Sequence, residues 1–271
     1  MDLISEAKLR NIAAEKGYNL IYVEKDYFLT VLLYYLKNME GIYLKGGTAL
    51  NKIFFDHLRL SEDLDFTTTV PIDNVKKKTE EMVRQDKKHF RRIEYENEGK
   101  NFVRIKVFYQ SYFGPTSHLV IDVNTKASMY LKPEIKRVHN FYKLEFEVKT
   151  LNFDELIAEK LRAAITRNQP RDYFDLYFIL KRQDIDMQLV QRKVEEVGET
   201  YDVERIFKNA NRIYSKWNED VGKLTNEKLT FVDCIKFLES KLRKENMKSM
   251  ASVFAGKIST KDIVEDENRK F

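Results

Sequence analysis

The sequence predicts an α+β protein whose N-terminal half carries a small mixed sheet and whose C-terminal half is helical. Short segments with the period-two alternation of strands occur only before about residue 150. Beyond that point, the periodic segments have the three- and four-residue spacing of helices. A glycine pair at 46–47 joins a short apolar run to a helical pattern, as a strand-to-helix turn would. We therefore expect two domains, at 1–150 and 151–271.

The composition is that of a folded protein with no disulfide framework. Of its 271 residues, 43% are hydrophobic and 13% aromatic, which excludes a disordered chain. A single cysteine, Cys234, excludes disulfides and a cysteine-rich zinc site. The net charge of +5 permits nucleic-acid binding without requiring it. Because no segment reads as a signal peptide or spans a bilayer, we expect a cytoplasmic protein with no membrane partner.

The N-terminal half alternates helical patterns with short strands. A helix at 24–39 has its apolar residues three and four apart, and Gly41 follows it. Leu64 and Phe66 alternate with acidic residues, and Pro71 stops the strand that they indicate. The predicted helices of this part are 4–16, 24–39, 48–55 and 73–90, and the predicted strands are 42–44 and 63–69.

Two further strands, 102–109 and 119–124, are joined by a turn at Gly114, and 141–150 is a weaker strand candidate. The strand-like alternation then gives way to helical spacing. Asp154 is the predicted N-cap of a helix that runs to Thr166. Later helices are predicted at 170–182, 186–198, 202–220 and 226–245, and the charged segment 256–271 is expected to fray.

The segment 42–66 carries the chemistry. Gly46 and Gly47 end a strand and open a helix, so backbone amides and the positive end of the helix dipole could hold a phosphate. Thr48 could cap this helix and add a hydroxyl. Taken alone, the glycine pair favours a structural turn, and it is the acidic pair after the helix that favours a functional site.

Three acidic residues on two strands follow the glycine pair. Asp63 and Asp65 lie two apart on a strand and so point to the same side, as shared ligands of a hard cation such as Mg²⁺ would. Asp122 interrupts an apolar strand, and it would complete a three-carboxylate cluster if the two strands are neighbours. The alternatives are a solvated strand face for the pair and a turn, formed with Asn124, for the third acid.

This arrangement resembles the polymerase-beta-like nucleotidyltransferases. The strings K-G-G-T-A-L and R-L-S-E-D-L-D-F are similar to those of the AbiEii/AbiGii toxin family within that superfamily. The segment 155–179, ELIAEKLRAAITRNQPRDYFDLYFI, resembles the family's lysine-bearing helix followed by an R-D-x-x-D-L motif. The resemblance implies a polymerase-beta-like core followed by a helical domain, with the site between them.

The resemblance also implies the roles of individual residues. Gly46, Gly47 and Thr48 would bind phosphate, Asp63 and Asp65 would bind metal, and Lys160 would contact the triphosphate. Asp172 or Asp175 would support the site. The third carboxylate belongs to the superfamily's pattern, and its placement at Asp122 is our own inference.

The implied activity is transfer of a nucleotide from an NTP to an acceptor hydroxyl with Mg²⁺ or Mn²⁺. Family members are toxins of toxin–antitoxin or phage-defence modules, so RNA such as tRNA is the favoured acceptor and an antitoxin an expected partner. Two other functions stay open: a nucleotide-binding regulator without turnover, and transfer to a protein or small molecule. By spacing alone Lys160 would be a surface lysine, and Asp172 could form a structural ion pair with Arg167 or Arg171.

Overall fold

A seven-stranded mixed sheet lies at the centre of the protein. The computed structural model describes residues 2–125, 128–208 and 210–243. The strands are β1 (Ile42–Lys45), β2 (Asp63–Thr68), β3 (Arg92–Gly99), β4 (Phe102–Tyr109), β5 (Ser117–Asn124), β6 (Glu134–Arg137) and β7 (Glu147–Thr150). Their order is β3-β4-β5-β2-β1-β7-β6. Strand β2 is parallel to β5 and antiparallel to β1, so the two strands that carry the predicted acids are neighbours.

The helices surround this sheet and fill the C-terminal half. They are α1 (Glu6–Lys16), α2 (Leu20–Leu36), α3 (Gly46–Ala49), α4 (Ile72–Gln85), α5 (Phe153–Thr166), α6 (Pro170–Arg182), α7 (Met187–Glu196), α8 (Arg205–Lys208), α9 (Ala210–Asp220) and α10 (231–243). Helix α3 continues directly into a π-helical turn, Leu50–Phe54. The predicted α+β class, with its mixed sheet followed by helices, is confirmed.

Two helix starts differ from the prediction for local reasons. Helix α2 begins at Leu20, because Asn19 caps it by accepting from the amide of Ile21 at 2.9 Å. Helix α5 is capped by Asn152, whose side chain accepts from the Asp154 amide at 2.9 Å, so the expectation that Asp154 is the cap is wrong. The expected fraying of 256–271 concerns residues outside those described.

The two faces of strands β4 and β5 meet different surroundings. Their odd-numbered residues are buried in the core, whereas their even-numbered residues are partly exposed. Helices α2 and α4 cover the buried face, where Phe28 of α2 stacks on Tyr109 with ring centroids 4.1 Å apart. Helix α5 packs beside α3. The even-numbered residues of β4 and β5 are all partly exposed, so this face of the two strands is accessible.

Contacts between side chains cross the predicted domain boundary near residue 150. Lys45 at the end of β1 forms an ion pair with Glu159 of α5, with nitrogen and oxygen 3.4 Å apart. Arg59, before β2, pairs with Asp175 of α6. The hydrophobic core also includes residues from both sides of the boundary, so the division into 1–150 and 151–271 stays a prediction.

Candidate active site

The glycine pair creates room for two charged side chains. Gly46 has a left-handed backbone with φ of 69°, and a Cβ there would overlap the Asp65 carboxylate, with its Cγ only 2.9 Å away. A Cβ on Gly47 would lie 2.5 Å from Nη2 of Arg59. Both glycines are therefore needed for the close approach of a carboxylate and a guanidinium to the start of α3.

Thr48 is not the cap of this helix. Helix α3 begins at Gly46, two residues before the predicted start, and its N-cap position, Lys45, makes no side-chain capping bond. The hydroxyl of Thr48 instead donates to the backbone carbonyl of Asp63 at 2.5 Å. Thr48 thereby fastens α3 to the start of β2 and fixes the carboxylate strand against the glycine turn.

The predicted acids converge at one end of the sheet. Asp63 and Asp65 share a face of β2, and Asp65 lies directly opposite Asp122 of β5. Burial raises the pKa of Asp65 from 3.8 to about 6, and it also raises the pKa of Asp63. The neighbouring carboxylates raise both values further, whereas Lys45 lowers that of Asp65. Crowded, partly desolvated carboxylates of this kind are the environment in which a cation is favoured.

Asp122 is held by an arginine that the sequence analysis did not identify. Arg104 on β4 donates from Nε and Nη2 to the two carboxylate oxygens of Asp122, at 2.8 and 2.6 Å. The two residues are register partners on adjacent strands. Because β5 lies between β4 and β2, Asp122 has Arg104 as its register partner on one side and Asp65 on the other.

The donor set fits a divalent cation at Asp63 and Asp65, whose oxygens are the hard ligands that Mg²⁺ prefers. The described residues contain no group of three or more His, Cys, Asp or Glu side chains arranged to hold a metal. The predicted cluster is therefore not assembled with Asp122 in its pair with Arg104. The metal role of Asp122 stays a prediction.

A buried network of ion pairs joins Lys160 to Asp172 and Asp175, so this lysine is not on the surface. Lys160 lies 3.1 Å from an oxygen of Asp172 and 2.9 Å from one of Asp175, and it is only 5% exposed. Arg59 makes a bidentate pair with Asp175, both bonds 2.8 Å long. Burial alone would raise the pKa of Asp172 and Asp175, but the cations hold both values below the ordinary one.

Arg167 also belongs to this network. Its guanidinium donates two bonds of 2.9 Å to Asp172, while 54% of its side chain stays exposed. The ion pair of Asp172 that the sequence analysis kept as an alternative is therefore present. It is compatible with a role in the site, because Arg167 faces the same space as the carboxylates.

These groups line one polar cleft of about 230 Å³. Its walls are Gly47, Thr48, Arg59, Ser61, Glu62, Asp63, Asp65, Arg104, Asp122, Lys160, Arg167, Gln169, Arg171 and Asp172. The cleft thus brings together most of the predicted site residues, whereas Gly46 and Asp175 lie just behind the wall. Among the residues described, a wider groove of about 940 Å³ at the other end of β2 contains none of them.

Several cleft residues were missed because their partners are distant in sequence. Arg59 is separated from Asp175 by 116 residues and Arg104 from Asp122 by 18. Arg59 lies inside the R-L-S-E-D-L-D-F string, which is the signal that could have found it. Ser61 is in the same string and is buried, and its hydroxyl finds no partner among the described atoms.

Comparisons with known proteins identify the family of this chain and proteins of similar fold. The model of the AbiEii family, described as a nucleotidyl transferase toxin of a type IV toxin–antitoxin system, matches residues 31–263. The MenT4 nucleotidyltransferase toxin from Mycobacterium tuberculosis has a similar structure, with a TM-score of 0.61, 19% identity and 88% of each chain covered. JHP933 from Helicobacter pylori gives a TM-score of 0.59 at 18% identity, covering 89% of this chain and 99% of its own. These structural likenesses support the fold.

Among curated proteins, none is similar enough to this chain to count as a match. Within the described residues, no helix combines the length and the apolar character that a membrane crossing needs.

Proposed function

Because the chain belongs to the AbiEii nucleotidyl transferase toxin family of type IV toxin–antitoxin systems, we propose that it transfers a nucleotide from an NTP to a hydroxyl of RNA. The observation that carries this proposal is the close approach of the Asp65 carboxylate to Gly46, because the helix start that would bind phosphate then lies beside the carboxylate pair. An acceptor oxygen would attack the α-phosphorus, and the bond to the leaving pyrophosphate would break.

A divalent cation, Mg²⁺ or Mn²⁺, would neutralise the triphosphate when bound at Asp63 and Asp65. The free amides of Gly47 and Thr48 at the start of α3 would hold phosphate oxygens. Asp122 lies one strand further and would orient the acceptor hydroxyl and take its proton. Such a role requires Asp122 to give up at least one of its bonds to Arg104.

The exposed arginines of the cleft are the groups best placed to meet the triphosphate. Lys160 shares Asp172 and Asp175 with Arg59 and Arg167, so it helps to hold these two acids in place while the network keeps one positive charge. Arg167 and Arg171 keep 54% and 30% of their side chains exposed. Both can form the charge-assisted bonds that guanidinium groups make with phosphate. The contact that the resemblance implies for Lys160 stays a prediction.

Transfer of label tests the proposal. Purified protein is incubated with Mg²⁺, each α-³²P-labelled NTP and total tRNA, in parallel with Asp63→Asn and Asp73→Asn. Asp73 is the matched control, because its side chain is 92% exposed and lies outside the cleft. We expect labelled RNA with the wild type and the control, and none with Asp63→Asn or after chelation of the metal.

Other outcomes distinguish the remaining functions. Label on a protein or small molecule instead of RNA would move the acceptor to that class. NTP binding without label on any acceptor would contradict transfer and favour a regulator. The toxin role is tested by expression in cells, where we expect growth arrest by the wild type and none by Asp63→Asn. Phage defence and an antitoxin partner stay predictions.

A further inference from the structure

The open face of the sheet carries unusual phenylalanines. We use "open face" for the even-numbered residues of β4 and β5, from Phe102 to Phe108 and from His118 to Asn124. Every other phenylalanine in the described residues is buried or packed against the hydrophobic core, but Phe102 and Phe108 are neither. Both side chains are half-buried and do not pack on the core, so the apolar surface that they leave accessible suggests a use outside folding.

Phe108 lies in a row of three cross-strand neighbours, between Arg92 of β3 and His118 of β5. Its ring centroid lies 5.4 Å from that of His118 on β5, and the guanidinium carbon of Arg92 lies 3.7 Å from it. Burial, together with Lys106 and Lys25, lowers the pKa of His118, so its ring is neutral at pH 7. Flat neutral rings and a cation on one face are the elements that bind unpaired bases by stacking.

The position of this group follows from the strand register. Asp63 of β2 is opposite Val120 of β5, and Val120 is opposite Lys106 of β4. The Phe108–His118 pair forms the next row along β4 and β5, about 7 Å further at 3.3 Å per residue. The rings of Phe108 and His118 are therefore one row beyond Asp63, on the same face of the sheet.

Positive side chains line the path between the rings and the cleft. Lys106 and Arg104 each have one acidic partner, Glu96 and Asp122. Arg171 and Lys25 share a single acid, Glu62, from which they lie 3.2 and 3.4 Å away. A chain of phosphates could replace these solvent-accessible carboxylates as the partner of the cations.

We propose that the open face binds the unpaired terminal nucleotides of a single-stranded RNA acceptor, with one base stacked on Phe108 and His118 and the backbone following Lys106 and Arg104 toward Asp122. This inference rests on the proposed function, since it places the acceptor hydroxyl at the end of that path. The acceptor is recognised mainly by base stacking and by its charge, so it is a single-stranded end rather than a duplex.

Binding of a fluorescent single-stranded RNA octamer tests the proposal by anisotropy, with Asp63→Asn protein so that no transfer occurs during the measurement. In that background we compare Phe108→Ala, Phe108→Tyr, His118→Ala and Tyr214→Ala. We expect Phe108→Ala and His118→Ala to raise the Kd at least about fivefold, as loss of a stacked base does. Phe108→Tyr keeps an aromatic ring and should bind as the parent does.

Tyr214→Ala is the matched control, because Tyr214 is an aromatic residue of α9 that is 63% exposed and does not line the cleft. We expect it to leave the Kd unchanged. NTP affinity, measured by calorimetry, and the unfolding temperature should be the same in all of these variants, because Phe108 is not packed in the core.

The outcomes separate this proposal from the proposed function. Octamer binding that Phe108→Ala and His118→Ala both leave unchanged would overturn the stacking role, even if wild-type protein labels RNA. Binding that these variants weaken, without labelling by the wild type, would support the open face and contradict transfer. If the wild-type protein binds no single-stranded RNA, the proposal that RNA binds the open face is wrong. A protein partner would then be the remaining candidate for this face.

Discussion

Gly46 determines how closely Asp65 can approach the start of α3. Its φ of 69° is in the left-handed region, and a Cβ would overlap the Asp65 carboxylate. We expect Gly46→Ala to lower the free energy of unfolding by at least about 1–2 kcal/mol and to abolish transfer, because the carboxylate must move. Urea denaturation and the label assay measure both effects.

The control for this prediction is Gly114→Ala in the turn between β4 and β5. A Cβ there would make only an ordinary contact with the Ser111 hydroxyl at 3.7 Å. We expect its stability to change by less than about 0.5 kcal/mol and its activity to be unchanged. If Gly46→Ala behaved like this control, the close approach of Asp65 would have no functional value.

Asp65 also gives the protein a specific dependence of stability on pH. Its pKa rises from 3.8 to about 6 on folding, mainly through burial. Between these values the folded state binds more protons than the unfolded state, so stability falls as pH rises from 4 to 6 and then stays constant. Asp65→Asn removes this loss.

We expect Asp65→Asn to be inactive but about 3 kcal/mol more stable than the wild type at pH 7, because a pKa shift of about two units corresponds to that free energy. The difference should be small near pH 4, because there the folded-state carboxyl is protonated and the unfolded-state carboxyl is only partly ionised. Urea denaturation at pH 4, 5, 6 and 7 tests this. A difference that does not grow between pH 4 and 6 would contradict the buried-charge origin.

At the scale of elements, helices α5 and α6 are joined to the segment before β2 by buried ion pairs. Removing Asp175 leaves Arg59 and Lys160 buried without that acid. We expect Asp175→Ala to lower the free energy of unfolding by about 3–5 kcal/mol, as the loss of one partner of a buried pair does. Thermal and urea denaturation measure it.

Arg167→Ala is the informative contrast. Over half of the Arg167 side chain is exposed, and its acid, Asp172, keeps Lys160 as a partner. We expect a stability loss of no more than about 1 kcal/mol but a higher KM for the NTP, because an exposed guanidinium is lost from the cleft. An unchanged KM would exclude Arg167 from triphosphate binding.

The best-predicted elements are those in which apolar residues alternate with polar ones because only one face is buried. Strand β4 was predicted with its observed bounds, because Val103, Ile105, Val107 and Tyr109 alternate with polar or exposed residues. Strands β3 and β6 were not predicted. Both strands lie at the edges of the sheet, where charged residues prevent pairing with another chain. Such residues, as in Glu94–Glu96 and Glu134–Arg137, also hide the alternation of apolar and polar side chains that indicates a strand.

The candidate site divides in the same way. Local spacing was sufficient for Gly46, Gly47, Asp63 and Asp65, because a turn and a strand fix their relation. The partners Arg59 and Arg104 could not be inferred, since nothing in their own neighbourhood says which acid they meet. Lys160 was placed in the site through the resemblance, but its burial between two acids is a property of helix packing.

At the scale of the whole molecule, the cleft is built by both halves of the chain. The carboxylate strands come from the first half, and Lys160 and Asp172 come from the second. The pairs Lys45–Glu159 and Arg59–Asp175 cross between them, and the core is continuous. Separation of the halves would break these pairs and expose to water the apolar residues of the core that the halves share, so each half stabilises the other.

We therefore expect the halves to unfold in one cooperative transition. The single tryptophan, Trp217 in α9, reports the helical half by fluorescence. Hydrogen exchange at the amides of β4 and β5, followed by mass spectrometry, reports the sheet. The two probes should give the same urea midpoint, since coincident transitions define two-state unfolding.

Asp175→Ala provides the control for this cooperativity, because it weakens a contact between the halves without altering either probe. We expect its fluorescence and exchange midpoints to fall together if the two halves remain coupled through the continuous core, and to separate if the ion pairs are the main coupling. Separate midpoints in the wild type would contradict a single cooperative unit. They would support instead two independent domains divided near residue 150, with a cleft that forms only when they dock.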